Sequence, residues 1–111
     1  MKYKNTIKRG SVRYIIFKED DTWYGAALEF NIVEEGNSPR EVMDSLFEAI
    51  QGYVETAQKL KMRPAPLNQK PEVEYKKLWE KLELEREKKD TYLLPKNVYN
   101  FGITSPYAMT Q

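Results

Sequence analysis

The chain has 111 residues and a formal net charge of +1, with neither cysteine nor histidine. Its length predicts one small domain, and its near-neutral charge argues against broad nucleic-acid affinity, which needs a clustered basic face. The absence of cysteine excludes disulfides and a thiolate nucleophile. The absence of histidine removes the commonest general base and the commonest metal ligand. We therefore expect no enzyme and no cofactor.

The N-terminal ten residues are mostly polar and basic, and they lead into no apolar segment that would indicate a signal peptide. No apolar run approaches the roughly 20 residues of a membrane helix, so we expect a cytoplasmic protein without membrane contact. Basic residues at this end are candidates for nucleic-acid contact, although scattered solvating charge explains them as well. They are Lys2, Lys4, Lys8, Arg9 and Arg13.

Two strands joined by a tight turn are predicted between residues 12 and 30. Residues 12–17 are rich in β-branched and aromatic side chains, and Glu19-Asp20-Asp21-Thr22 suits a turn. In the returning strand we assign the more continuously apolar face to the core. That face consists of Tyr24, Ala26, Leu28 and Phe30. Asn31 predicts a bend before a short third strand at residues 32–35.

A capped helix is predicted at residues 39–60, where apolar residues recur at helical spacing. Ser38 is placed to accept a hydrogen bond from the backbone of Glu41, whose side chain is placed to reach back to the Ser38 amide. Pro39 falls at the first helical position, where its missing N–H costs nothing. Gly52 lies inside the helix, and we expect it to allow close packing against a strand.

A second, highly charged helix is predicted at residues 72–89, followed by an apolar tail. The helix carries a narrow apolar stripe at positions i, i+3, i+4 and i+7, formed by Tyr75, Leu78, Trp79 and Leu82. Such a helix needs a surface to pack on, either its own sheet or another subunit. The tail is too apolar for a disordered segment, and residues 98–103 predict an edge strand or an extended arm.

These elements together predict an α+β fold, a three-stranded antiparallel sheet with one long helix packed on it, plus the charged helix and the tail. We divide the chain into a sheet–helix domain, residues 1–67, and a C-terminal segment, residues 68–111, that packs on the same domain or on a partner subunit. A homo-oligomer is expected because the stripe and the tail need cover.

Large aromatic and apolar residues are the candidates for a partner interface, since such residues dominate binding hot spots. The alternative for each is that it fills a small core. The candidates are Trp23, Tyr75, Trp79, Leu82, Tyr99 and Phe101.

Residues 14–67 resemble the N-terminal domain of HicB-type antitoxins. The resemblance rests on the order of five features. They are an apolar strand (residues 14–17), an acidic turn (19–21), an aromatic-to-small run (23–26), a capped helix entry (36–41) and a Pro-x-Pro exit (64–66). It implies a partial ribonuclease-H-like fold without nuclease activity. Where many relatives carry a C-terminal DNA-binding module, this chain has the charged helix and the tail.

The resemblance implies an antitoxin that acts by protein–protein interaction and neutralises a small HicA-type mRNA interferase. One alternative is a nucleic-acid-binding regulator that uses the basic N-terminal strand. Another is a metal-dependent nuclease of ribonuclease-H type. Its candidate ligands are Asp20, Asp21, Asp44 and Glu48, which are otherwise explained as turn residues and a solvated helix face.

Overall fold

The structure, a computed structural model, describes residues 3–88 and 94–107. The strands are β1 (Val12–Glu19), β2 (Thr22–Ala27), β3 (Ile32–Gly36) and β4 (Val98–Thr104), and the helices are α1 (Pro39–Leu60), α2 (Val73–Glu87) and a short 3-10 helix at Ala65–Leu67. The strands form one antiparallel sheet in the order β3-β2-β1-β4. The α+β class is confirmed, and no helix in the described part of the chain is long and apolar enough to cross a membrane.

The first three strands pair consecutively through two tight connections. Asp20 turns the chain between β1 and β2 with φ of 57°, and Asn31 turns it before β3 with φ of 53°. Short polar side chains tolerate this left-handed conformation because they can hydrogen-bond to the local backbone. The predicted acidic turn and the bend at Asn31 are therefore confirmed.

The expectation of three strands is wrong, because β4 pairs with β1 and makes a fourth. The pairing runs from Val12 opposite Thr104 to Phe17 opposite Val98, with a register shift that leaves Tyr99 as the extra residue of a bulge. Val98 and Phe101 are thereby buried, whereas Leu94, Tyr99 and Ile103 stay exposed. Of the two alternatives for this segment, the edge strand is observed. Residues 91–93 and 108–111 of the predicted tail lie outside the described residues.

Helix α1 covers one face of the sheet with its buried stripe of Val42, Leu46, Ile50, Val54 and Ala57. This is the face of Gly25 and Ala27. Of the residues assigned to the core, Ala26, Leu28 and Phe30 are buried as predicted, although only Phe30 joins the cluster under α1, while Ala26 and Leu28 lie in the cluster on the opposite face. Gly25 allows the approach of α1, since a Cβ there would lie 2.9 Å from Val42 Cγ1. The close packing expected at Gly52 is wrong, because a Cβ built there meets nothing within 4 Å.

Helix α2 covers the other face, where Trp79 and Leu82 pack on apolar residues of β1, β2 and β4. Of the two surfaces left open for this helix, its own sheet is therefore the one observed. Because a helix lies on each face, both alternating sets of β2 side chains are small or apolar. Residue 89, the last of the predicted helix, lies outside the described residues.

Candidate protein-interaction surface

The N-terminus of α1 forms one border of the candidate site. Ser38 has an extended backbone (φ −133°, ψ 135°), and its Oγ accepts a hydrogen bond from the Glu41 N–H at 3.4 Å. Pro39 is the first helical residue, as predicted. In the described part of the chain the Ser38 N–H donates no hydrogen bond to the Glu41 carboxylate, so the capping box is half formed and that carboxylate is exposed.

Trp23 and Tyr99, which the sequence singles out separately, lie together on the α1 face of the sheet. Their ring centroids are 6.3 Å apart in an edge-on arrangement, with an interplanar angle of 78°. Lys18, the cross-strand partner of Trp23, places its Nζ 5.9 Å from the centre of the indole ring. Tyr99 is 41% exposed and Trp23 is half-buried. The pair therefore presents aromatic surface to solvent beside a cation.

Tyr99 also lines a groove of about 660 Å³ between the first turns of α1 and β4. Its remaining lining residues are Arg40, Met43, Asp44, Phe47 and Asn100. Arg40 Nε lies 3.6 Å from Asp44 Oδ1 on the exposed rim. An aromatic and apolar floor with a charged rim is typical of protein interfaces. We call the surface formed by Trp23, Tyr99, Met43 and Phe47 the aromatic groove.

Met43 and Phe47 belong to this surface but were not among the predicted interface residues. They stand four residues apart on α1, one position after the buried residues Val42 and Leu46. A flank of partly buried apolar residues beside the main stripe is the signal that would have identified them.

Three of the predicted interface residues are buried within the chain. The relative exposures of Trp79, Leu82 and Phe101 are 4%, 0% and 6%. The ring centroids of Trp79 and Phe101 are 5.4 Å apart in an edge-on contact, and the Arg86 guanidinium carbon lies 4.0 Å from the Phe101 ring centre. In this fold these side chains hold α2 and β4 against the sheet.

Tyr75 is half-buried at the start of α2, with its ring centroid 6.0 Å from that of Phe17. Burial raises the pKa of the Tyr75 phenol, and the carboxylates of Glu74, Glu72 and Glu19 raise it further. The end of the molecule that holds the β1–β2 turn and the start of α2 is therefore negatively charged.

The proposed nuclease carboxylates do not converge. Asp20 and Asp21 lie at the β1–β2 turn, while Asp44 faces Arg40 on α1. Across residues 3–88 and 94–107, no three acidic side chains are close enough together to hold a metal ion. The four candidate ligands are therefore not gathered into one site within the described residues.

One cation of the basic N-terminal patch, Arg13, is paired with a buried carboxylate. Arg13 Nε donates to Glu29 Oε2 at 2.7 Å, the Arg13 backbone N–H donates to Oε1 at 2.8 Å, and Lys4 Nζ lies 3.9 Å from Oε2. Lys4, Lys8 and Arg9 are exposed, and Lys2 lies outside the described residues. Three exposed cations are a small footprint for nucleic-acid binding.

Comparison of the chain with protein-family models, with curated proteins and with solved structures finds no significant match. Functional inference therefore rests on the residues of this chain and their geometry.

Proposed function

We propose that this chain is a binding protein of the HicB type, which covers the surface of a small protein partner and performs no chemistry of its own. The partner in this proposal is a HicA-type mRNA interferase. The observation that supports it is the fold of residues 14–67: β1, β2 and β3 pair consecutively, and α1, entered through the Ser38 cap, lies on one face. This is the arrangement that the resemblance implies.

The aromatic groove is the surface that we propose for the partner contact. Tryptophan and tyrosine dominate binding hot spots because they bury large areas at a small cost in side-chain entropy. Trp23 and Tyr99 lie in contact, partly exposed, beside the charged rim of Arg40 and Asp44. A partner that seals this surface gains apolar burial at the centre and polar contacts at the edge.

Co-expression with the product of the adjacent open reading frame tests the proposal. We expect a small basic protein that co-purifies with this chain, arrests growth when expressed alone, and is neutral when the two are expressed together. If that product is harmless and does not bind, the antitoxin proposal fails.

A double substitution, Trp23→Ala with Tyr99→Ala, tests the aromatic groove as the contact surface. We expect the partner affinity to fall about 10-fold or more, the usual loss on truncating a hot spot. Leu84→Ala is the matched control, because Leu84 is an exposed apolar residue on α2. Denaturant unfolding of both variants separates lost contact from lost folding, since Trp23 is half-buried.

The nucleic-acid-binding regulator has less support, because Arg13 is paired with Glu29 and is largely withdrawn from solvent. A salt-dependent mobility shift with the upstream DNA would favour it. The homo-oligomer stays a prediction, although the stripe and the tail residues that motivated it, Trp79, Leu82 and Phe101, are covered within the chain.

A further inference from the structure

Strand β3 is an outer strand of the sheet, and its far edge is open. Its pairing residues all face β2, and no other described residue hydrogen-bonds to the backbone of residues 32–36. Val33 is 43% exposed and Glu35 is exposed as well, so α2 does not cover their face of this strand, while Ile32 on the other face packs against the α1 cluster. A row of unpaired main-chain N–H and C=O groups is a template for a further strand.

The side chains of this edge are acidic and without counter-ions. Glu34 and Glu35 are adjacent in β3, one on each face of the sheet, and the ion pairs of the described residues involve only Glu29 and Asp44 as acids. Glu35 lies opposite Tyr24, whose neighbour Tyr75 is surrounded by further carboxylates. A strand that docks here meets negative charge on both faces.

This charge decides which kind of strand the edge accepts. Antiparallel pairing of β3 with a second copy would set Glu34 and Glu35 beside their own counterparts, and like charges on neighbouring strands are destabilising. A nucleic acid carries the same sign and is repelled. A strand with lysine or arginine near both glutamates turns the repulsion into attraction, and an apolar residue opposite Val33 buries its exposed side chain.

We propose that β3 accepts, as a fifth strand of the sheet, an extended segment of a protein partner that carries two adjacent basic residues next to an apolar residue. Adjacent residues of a strand point to opposite faces, so the two basic side chains meet Glu34 and Glu35 and the apolar one meets Val33. The inference rests on the proposed function for the presence of a protein partner, and it adds the surface and the chemistry of the segment. Main-chain hydrogen bonds supply affinity in this mode, and the side chains set specificity.

A synthetic peptide of about nine residues that repeats valine-lysine-lysine is the probe, titrated into the 15N-labelled full chain, because two adjacent lysines reach both faces of the sheet. We expect amide shifts concentrated at residues 32–36 and an affinity that falls with added salt. The same peptide with glutamate for lysine, and a peptide N-methylated at alternate residues in both registers, are expected not to bind. Shifts centred on β4 or on the aromatic groove overturn the proposal, as does equal binding of the acidic peptide.

The variant E34Q with E35Q removes the charge and keeps the shape. We expect peptide affinity to fall by about 2- to 30-fold, the effect of losing two cross-strand charge pairs. E80Q with E83Q is the control, since it changes the net charge equally on the exposed side of α2. If both double variants weaken binding equally, the edge has no special role and the proposal is wrong.

The same variants separate this inference from the proposed function. An adjacent-frame partner that binds E34Q with E35Q at full affinity, while the peptide leaves β3 unperturbed, overturns the strand addition and leaves the antitoxin proposal standing. Peptide binding at β3 without any adjacent-frame partner supports the strand addition and removes the antitoxin proposal.

Discussion

Asn5 is a fully buried polar side chain that ties the N-terminal segment to the chain after α1. Its Nδ2 donates to the Leu67 carbonyl at 2.8 Å, and its Oδ1 accepts from the Ser11 N–H at 2.8 Å. Its backbone N–H and C=O bond to the side chain of Asn68, also at 2.8 Å. A buried amide is tolerated because every one of these groups has a partner.

Asn5→Ala is expected to lower the free energy of unfolding by about 1–3 kcal/mol, because the Leu67 carbonyl and the Ser11 N–H lose their partner in a buried place. Urea denaturation measures the loss. Asn37→Ala is the control, since Asn37 is exposed and has no hydrogen bond to the described residues. Equal stability of the two variants would contradict this account of Asn5.

Two glycines are expected to respond oppositely to alanine. At Gly52 a Cβ meets nothing within 4 Å, so Gly52→Ala should raise the unfolding free energy by about 0.5–1 kcal/mol through helix propensity. At Gly25 the same atom lies 2.9 Å from Val42 Cγ1 and 3.1 Å from Ile16 Cδ1. Gly25→Ala should therefore cost about 1–3 kcal/mol. Thermal melts of the two variants test this. If both melting temperatures shift in the same direction, the packing described under α1 is wrong.

At the scale of elements, α2 is held to the sheet by very few side chains, chiefly Trp79 and Leu82. Trp79→Ala should lower the free energy of unfolding by about 3–5 kcal/mol, since it removes the largest buried side chain of the helix. Leu84→Ala, on the exposed side, should change it by less than about 0.5 kcal/mol. A mild effect at Trp79 would mean that α2 does not pack as described.

The elements predicted best are those whose ends are marked by local chemistry. The bounds of α1 follow from Ser38, Pro39 and an apolar stripe, and all of these act within a few residues. Helix α2 was predictable, but its position was not, because a stripe of Tyr75, Trp79 and Leu82 is equally suited to its own sheet or to another subunit.

The pairing of β4 with β1 and the candidate interaction surface could not be predicted, for a different reason. A strand was expected near residues 98–103, but no local signal says that it pairs with β1, which lies most of the chain away. The bulge at Tyr99 cannot be inferred from propensity either. Trp23 and Tyr99 were both predicted as interface residues. Their contact could not be predicted, since it depends on that pairing and on that bulge.

At the scale of the whole molecule, both sheet faces are covered by helices of the same chain. A cooperative melting transition should therefore persist at the lowest measurable protein concentration, because association is not needed to bury the core. Calorimetry at several concentrations tests this. Loss of the cooperative transition on dilution would show that a second copy shares in the core.

Alkaline pH should destabilise the fold. Burial raises the pKa of Tyr14, Tyr75 and Tyr107 above the usual value of 10.0, and nearby carboxylates add to the effect at Tyr75. Above that pH the unfolded chain loses phenolic protons that the folded chain retains, so the stability present below pH 10 is lost as pH rises.

Urea midpoints at increasing pH, read with phenolate absorbance, measure this dependence. Tyr14→Phe should flatten the alkaline decline, because it removes one of the three raised groups. An unchanged decline in that variant would assign the effect to other residues.

The place of β4 beside β1 also governs how the chain reaches this fold as it is made. When β1 leaves the ribosome, the strand that completes its flank lies most of the chain away and has yet to be translated. Until then the edge of β1 that will pair with β4 is exposed. Because the loop between the two strands is long, its closure slows their pairing. Ribosome-bound intermediates that stop short of β4 should accordingly be the aggregation-prone species.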